Sequence, residues 1–267
     1  MIRQHIIPVV SSALLAFIIP ARGTQFTDEQ LAQIQFDQKL GAQVSPSLKF
    51  QDETGRPVSL ANYFGERPTV LILGYYGCPM LCTLVLNGAA ECFRNMKWKA
   101  GEQFNVVFVS VDPRETSSLA AEKKLSYVQS YGKAGAGSWH FLTGSQNAIT
   151  NLAGEVGFQY VYDDETKQFA HPSGLVILAA DGKLARYFFG VNFAAKDLDA
   201  ALRDAAVNQV GAPEAPFTLL CFHYAPIHGK YGKLIMDVVR GGGCLVLLLL
   251  TGLILMPPGR RKKGEAK

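Results

Sequence analysis

The sequence predicts an α/β domain built around a layered sheet. Three observations point there: uninterrupted apolar runs of strand length (TVLILGYY, 69–76; FNVVFVSVD, 104–112; SGLVILAAD, 173–181), helix-period stretches between them, and turn signals at Thr54-Gly55 and Asp181-Gly182. Strands that are apolar throughout, rather than alternating, are buried on both faces, and helices packed on a mostly parallel sheet provide that burial.

The elements follow in order. LKFQDETGRPVSL (48–60) predicts an N-terminal hairpin, TVLILGYY a buried strand, and Pro79 to Lys97 a helix with apolar residues at helical spacing. FNVVFVSVD is a second buried strand, and Ser117 to Tyr131 a helix opened by Ser/Thr start signals. WHFLTG (139–144), a helix near Ile149 to Val156, and FQYVYD (158–163) come next. SGLVILAADGKLARYFFG then forms a hairpin, and a helix runs from about Ala195 to Asn208.

The two ends carry a different signal. MIRQHIIPVVSSALLAFIIPARG has Arg3 and His5 ahead of an apolar run and small residues at Ala21 and Gly23, which reads as a secretory signal peptide over 1–23, either cut near Gly23 or kept as an anchor. At the other end, an uncharged run over 241–258 precedes Arg260, Arg261, Lys262 and Lys263. At about 1.5 Å per residue such a run just crosses a hydrocarbon core of roughly 30 Å, so one C-terminal transmembrane helix is expected, with a basic cytoplasmic tail over 259–267. The formal charge of +4 arises from these ends, which carry +6 and leave the remainder slightly acidic at −2, and nothing in it suggests a nucleic-acid surface. The expected organisation is therefore a linker over 24–45, with a helix capped by Thr27, the α/β domain over 46–210, and a juxtamembrane arm over 211–240 that packs back on the domain or the membrane surface. The domain lies on the outer, periplasmic face of a cytoplasmic membrane.

The chemistry centres on GYYGCPMLC (74–82), where Cys78 and Cys82 stand at a strand-to-helix transition. Positions four apart share one helical face, and a helix N-terminus favours thiolate over thiol. Such a pair is a structural disulfide, a redox couple or a soft donor set matched to Cu(I) or Zn(II). Of the five histidines, His5 lies in the signal segment and His140 sits inside a strand, where it reads as structural. His171 opens AHPSGLVIL, read as a loop leading into a strand, and is the candidate third ligand. Cys92 reads as a buried core thiol and Cys244 as an apolar residue of the membrane run. Cys221, His223 and His228 in CFHYAPIHGKYG are donors as well, set in an aromatic arm at the membrane interface.

GYYGCPMLC, VVFVSVDPRETSS, WHFLTG and FAHPSGLVIL, in this order, resemble the Sco/SenC family over roughly Pro46 to Asn208. The resemblance implies a thioredoxin-like fold, and a copper protein serving cytochrome c oxidase assembly. It makes Cys78, Cys82 and His171 the copper ligands, for Cu(I) first and Cu(II) as the alternative state, with Asp112 a nearby acidic group that could tune them. The implied partner is a copper-acceptor protein, the copper subunit of cytochrome c oxidase. The sequence departs from the usual pattern with Pro-Met-Leu between the cysteines, Thr83 after Cys82, and an anchor at the C-terminus. The rival reading is a membrane-tethered thiol-disulfide oxidoreductase using Cys78 and Cys82.

Overall fold

The computed structural model describes residues 33–78, 81–132, 137, 139–164, 167–214, 220–221 and 232–255. It divides into two units, Met1–Phe222 and His223–Lys267. The expected signal peptide, Thr27 cap and basic tail lie outside the described residues, as do His223 and His228.

The first unit is a mixed α/β domain. Its strands are β1 (Lys49–Gln51), β2 (Pro57–Ser59), β3 (Thr69–Gly74), β4 (Asn105–Ser110), β5 (Trp139–Leu142), β6 (Val161–Asp163), β7 (Gln168–Pro172), β8 (Gly174–Leu178), β9 (Leu184–Phe189) and β10 (Leu220–Cys221). Its helices are α1 (Leu81–Asn95), α2 (Ser117–Tyr131), α3 (Gln146–Glu155) and α4 (Ala195–Ala206). The central sheet has the order β5-β4-β3-β8-β9. β3 runs parallel to β4, and β4 to β5, whereas β8 is antiparallel to both β3 and β9. This arrangement is consistent with the expected thioredoxin-like fold.

Residues alternate across each strand, so the apolar runs feed two separate cores. Val70, Ile72, Val106, Phe108, Phe141 and Ile177 face one core, which α1, α2 and α4 cover with residues such as Phe93, Tyr127 and Leu202. Leu71, Leu73, Val107, Val109, Val176 and Leu178 face the other, which α3 covers with Ile149 and Leu152. The second core also holds Tyr75 and Cys78. Helix α1 approaches the 191 loop so closely that a Cβ on Gly88 would lie 1.8 Å from the Val191 carbonyl oxygen, which only glycine permits.

The expected hairpin at Thr54-Gly55 forms as β1 and β2, with Lys49 opposite Ser59. Asp52 closes its turn, accepting from Thr54 N (2.9 Å) and Arg56 N (3.0 Å), and Gly55 takes φ +81°. Helix α2 begins after Thr116, whose side chain accepts from Leu119 N, and ends at Gly132 in the left-handed region. Ser145 caps α3 in the same way, so that helix starts earlier than its apolar residues suggested.

Two expectations are corrected. The linker helix is absent from its described part: Phe36 instead forms a bridge with Phe158 and packs its ring on Phe158, Tyr187 and Phe189, while Val44 is buried and hydrogen-bonded to Gly182 O. Tertiary aromatic contact outweighs the weak helical tendency there. His171, expected in a loop, lies in β7, because β6 and β10 flank that segment and satisfy its backbone.

The arm packs back on the domain in its described part. Gly211 N donates to Ala185 O (2.9 Å), and Arg186 Nε donates to Glu214 Oε1 (3.1 Å). Glu214 also exchanges hydrogen bonds with Gln38 through both backbone groups (2.8 and 2.9 Å).

The second unit holds α5 (Gly232–Leu255), which overlaps the expected membrane run as far as Leu255. Leu245, Val246, Leu248 and Leu249 on it are exposed, as is Cys244. Among the described residues no helix is long and apolar enough to cross a membrane.

Candidate metal centre

Cys78 stands at the end of a tight loop that leaves the buried strand β3 and enters α1. Glu115 holds this loop from below: its carboxylate accepts from Tyr76 N (2.8 Å) and Gly77 N (2.6 Å), and from Ser110 Oγ (2.5 Å). Burial raises the pKa of Glu115 above the usual carboxylate value, against the opposing effect of these donors, and the charge of Asp112 adds to the rise. The Tyr76 hydroxyl donates to Leu142 O (2.8 Å), tying the loop to β5, and Cys78 N closes the turn on Tyr75 O (3.4 Å). Cys78 itself is 7% exposed and is not helical. The argument from two cysteines on one helical face is corrected accordingly: Cys82 is the second residue of α1, and Cys78 precedes that helix. The side chain of Cys82 lies outside the described residues.

His171 is 1% exposed. Its Nδ1 lies 2.9 Å from the carbonyl oxygen of Pro172. A carbonyl only accepts, so the proton sits on Nδ1 and the ring's lone pair is at Nε2, the tautomer that ligates a metal through Nε2. Two aromatic side chains set the ring's position: Tyr75 meets it edge-on with centroids 6.0 Å apart, and Phe158 lies at 5.6 Å. Tyr75 also packs on Phe169 at 5.6 Å. The segment that carries Cys78 therefore touches His171 through Tyr75, three residues upstream. Ser173, two residues beyond His171, is buried with no hydrogen-bond partner for its hydroxyl among the described residues.

Asp112 is occupied by Arg114. Its Oδ1 accepts from Arg114 N (2.9 Å) and Nε (2.7 Å), and its Oδ2 from Nη2 (2.7 Å). The guanidinium then stacks over Tyr162 at 5.0 Å and Phe169 at 5.7 Å. Asp112 thus reaches the centre through Arg114, Phe169 and Tyr75.

The family model described as SCO1/SenC matches residues 36–206, well over half of the chain. The chain belongs to the SCO1/SenC family. A protein of Stutzerimonas stutzeri named provisionally as copper-binding is 26% identical over 142 residues, which cover 52% of this chain and 66% of that relative. Among solved structures, a protein of Aquifex aeolicus VF5 described provisionally as an electron transfer protein aligns with a TM-score of 0.56 at 24% identity, over 63% of this chain and 95% of its own. BsSco, described as having a disulfide switch and as a member of the Sco family of cytochrome c oxidase assembly proteins, aligns with a TM-score of 0.51 at 22% identity, over 66% and 99%. These structural likenesses establish the fold.

The remaining candidates of this SCO1/SenC chain lie elsewhere. His140 is on the edge strand β5, tilted against the Tyr63 ring at 4.6 Å, and burial lowers its pKa. Cys92 is buried in α1 with its Sγ 3.9 Å from Met96 Sδ, and burial, with the charge of Glu91, pushes its pKa to about 11. It is the inert core thiol the sequence suggested.

Among the described residues no group of three or more His, Cys, Asp or Glu side chains is close enough to hold a metal ion. The described donors are one thiol and one imidazole of fixed tautomer, both buried and bordered by aromatic rings. Soft sulfur with imidazole nitrogen in a dry setting suits copper, and Cys82, four residues after Cys78 in sequence, is the candidate second sulfur. The groups the sequence did not single out are Glu115 and Tyr75. Glu115 looked like one more polar residue of a turn, and only the return of β4 beside β3 brings it under the cysteine loop.

Proposed function

We propose that this SCO1/SenC protein is a membrane-anchored copper carrier. Cys78 and Cys82 bind Cu(I) as thiolates, and Nε2 of His171 completes a three-ligand site. The observation that carries this reading is the buried His171, whose Nδ1 proton is committed to Pro172 O and whose ring rests on Tyr75, three residues before Cys78. Copper binding is the property named for the Stutzerimonas relative, and cytochrome c oxidase assembly is named for the family of BsSco.

The residues divide the work. The Glu115 clamp fixes the loop so that Cys78 meets the ion without a search, and Arg114, held by Asp112, braces the aromatic wall behind His171. Exclusion of water by Tyr75, Phe158 and Phe169 disfavours loss of the ion to solvent. The ion then leaves by exchange of thiolates with the cysteines or histidines of an acceptor, for which the copper subunit of cytochrome c oxidase is the candidate. The exposed apolar residues of α5, followed in sequence by Arg260 to Lys263, support an anchor with the domain on the outer face. Such an anchor would hold donor and acceptor in one plane and raise their effective concentration.

The experiment is Cu(I) titration of the purified full chain against a competing chelator. One copper per chain, lost in Cys78→Ser and in Cys82→Ser, supports a carrier. No stable copper, together with a readily exchanged Cys78–Cys82 disulfide, would make the protein a thiol-disulfide oxidoreductase instead.

A further inference from the structure

An open groove of about 420 Å³ lies between β9, the loop that follows it and α4. Its wall on the sheet side is aromatic. Phe188 and Phe193 pack on one core and Phe189 on the other, yet all three stay half-buried and border the groove. The wall on the helix side is one stripe of α4, because Asp197, Ala201 and Asp204 are four and then three residues apart. Ala200 and Ala201 are small enough to leave the space between the two carboxylates open, and those carboxylates are about 10 Å apart along the helix axis.

The charges of the groove do not cancel. Its one cation, Arg186, is taken by Glu214. Asp197 and Asp204 are exposed, and neither side chain has a hydrogen bond or ion pair among the described residues. Asp197 stands in the first turn of α4, where the free amide groups favour a carboxylate, so the helix itself accounts for it. Asp204 stands in the last turn, where the free carbonyl groups oppose one, and the fold gives no reason for its charge. Between Asp204 and Glu214 the chain also exposes Val207 and Val210. Half-exposed rings beside uncompensated charge and bare aliphatic side chains are the makings of an interface with an apolar centre and a polar rim.

We propose that this groove docks an extended segment of a partner protein that carries two basic side chains three residues apart around an apolar pair. Three extended residues cover about 10 Å, which matches the separation of Asp197 and Asp204 along α4. A Lys or Arg side chain placed there gains a carboxylate on one side and the faces of the phenylalanine rings on the other, and the apolar pair covers the rings between. The position has a consequence for the rest of the molecule. In the loop that follows β9, Gly190 N donates to Ser173 O (2.9 Å), and the Val191 carbonyl lies against Gly88 of α1. A partner held in the groove therefore stands beside the chain that follows His171 and beside α1.

The test is fluorescence anisotropy of a labelled, end-blocked peptide Lys-Leu-Leu-Lys with the metal-free full chain in neutral-lipid nanodiscs, with empty discs as the blank. The expected result is saturable binding to the wild type. Binding should be weaker by about tenfold in Asp197→Asn/Asp204→Asn, the scale of two partly exposed ion pairs, and weaker by as much for the counterpart Glu-Leu-Leu-Glu. Ala200→Trp, at an exposed position, fills the groove without removing a charge and should abolish binding. No saturable binding to the wild type, or equal binding by the double variant or by the acidic peptide, would overturn the proposal. Thermal unfolding adds a second readout: Asp204→Asn relieves a charge at the wrong end of a helix, so its melting temperature should hold or rise. A fall would show that the Asp204 carboxylate serves the fold and would overturn its role in docking. Copper takes no part in these measurements, so their failure leaves the metal-carrier reading standing.

Discussion

The Tyr75 ring meets the His171 imidazole edge-on, with centroids 6.0 Å apart and planes at 77°. Tyr75 is also in the loop that ends at Cys78, so one aromatic side chain sets the spacing between a sulfur-bearing loop and a nitrogen-bearing strand. Tyr75→Ala removes that spacer and opens a cavity beside Phe169. A buried aromatic replaced by alanine typically costs about 3–5 kcal/mol. Denaturant unfolding should show a loss of this size, and Cu(I) affinity should fall in the protein that remains folded. Unchanged affinity would mean that the ring packs the core without positioning the ligand.

Glu115 acts one step further from the sulfur. In Glu115→Ala the exposed Gly77 N–H can turn to water, whereas the buried Tyr76 N–H is left without its acceptor. An unmatched buried donor costs about 1–3 kcal/mol. Loss of loop order should weaken metal binding by about 10–100-fold, as outer-shell losses commonly do. The pH dependence has a definite sign. Because burial raises the folded pKa of Glu115 above its ordinary value of 4.5, its titration contributes stability that is fully present below that ordinary value and is lost as pH rises through the folded one. Comparing the stability-versus-pH curves of wild type and Glu115→Ala isolates this contribution.

Asp52 works in the opposite direction. Burial opposes its ionisation, but hydrogen bonds from Thr54 and Arg56 prevail and lower its pKa from 3.8 to about 2. A depressed carboxylate contributes stability that is present above its unfolded pKa and is lost as pH falls through its folded one, here between about pH 4 and 2. Asp52→Asn should therefore flatten that part of the acid-unfolding curve and loosen the β1–β2 hairpin. An acid limb identical to wild type would show that the turn contributes nothing to acid stability.

Cys92 provides an internal control. Its thiol, pushed up to about 11, is almost wholly protonated near neutral pH. Alkylation of the folded protein followed by peptide mass analysis should leave Cys92 unmodified, and Cys92→Ala should keep full copper binding. Rapid labelling of Cys92 in folded protein would contradict its place in the core.

The sheet was legible because its strands are apolar throughout, as TVLILG and NVVFVS show, and its hairpins carry Thr54-Gly55 and Asp181-Gly182 at the turns. The cysteine loop was legible for the same reason, since it follows a strand that is apolar and buried throughout. The strand character of β7 was not, because QFAHP contains Pro172 and its far side gains a ladder from β10, a segment distant in sequence. The packed course of 33–45 was hidden too, since the partners of Phe36 lie at 158, 187 and 189. Glu115 escaped for a like reason: it meets the cysteine loop only through the pairing of β3 with β4, which no local pattern encodes.

The central claim is that Cys78, Cys82 and His171 hold one copper ion. Its most direct test is the stoichiometry and Cu(I) affinity of the reduced full chain, measured for wild type, Cys78→Ser and His171→Ala side by side. The account predicts one tightly held copper in the wild type, none in Cys78→Ser, and clearly weaker binding in His171→Ala with the two-thiol redox couple intact. Full affinity in His171→Ala would contradict the three-ligand site.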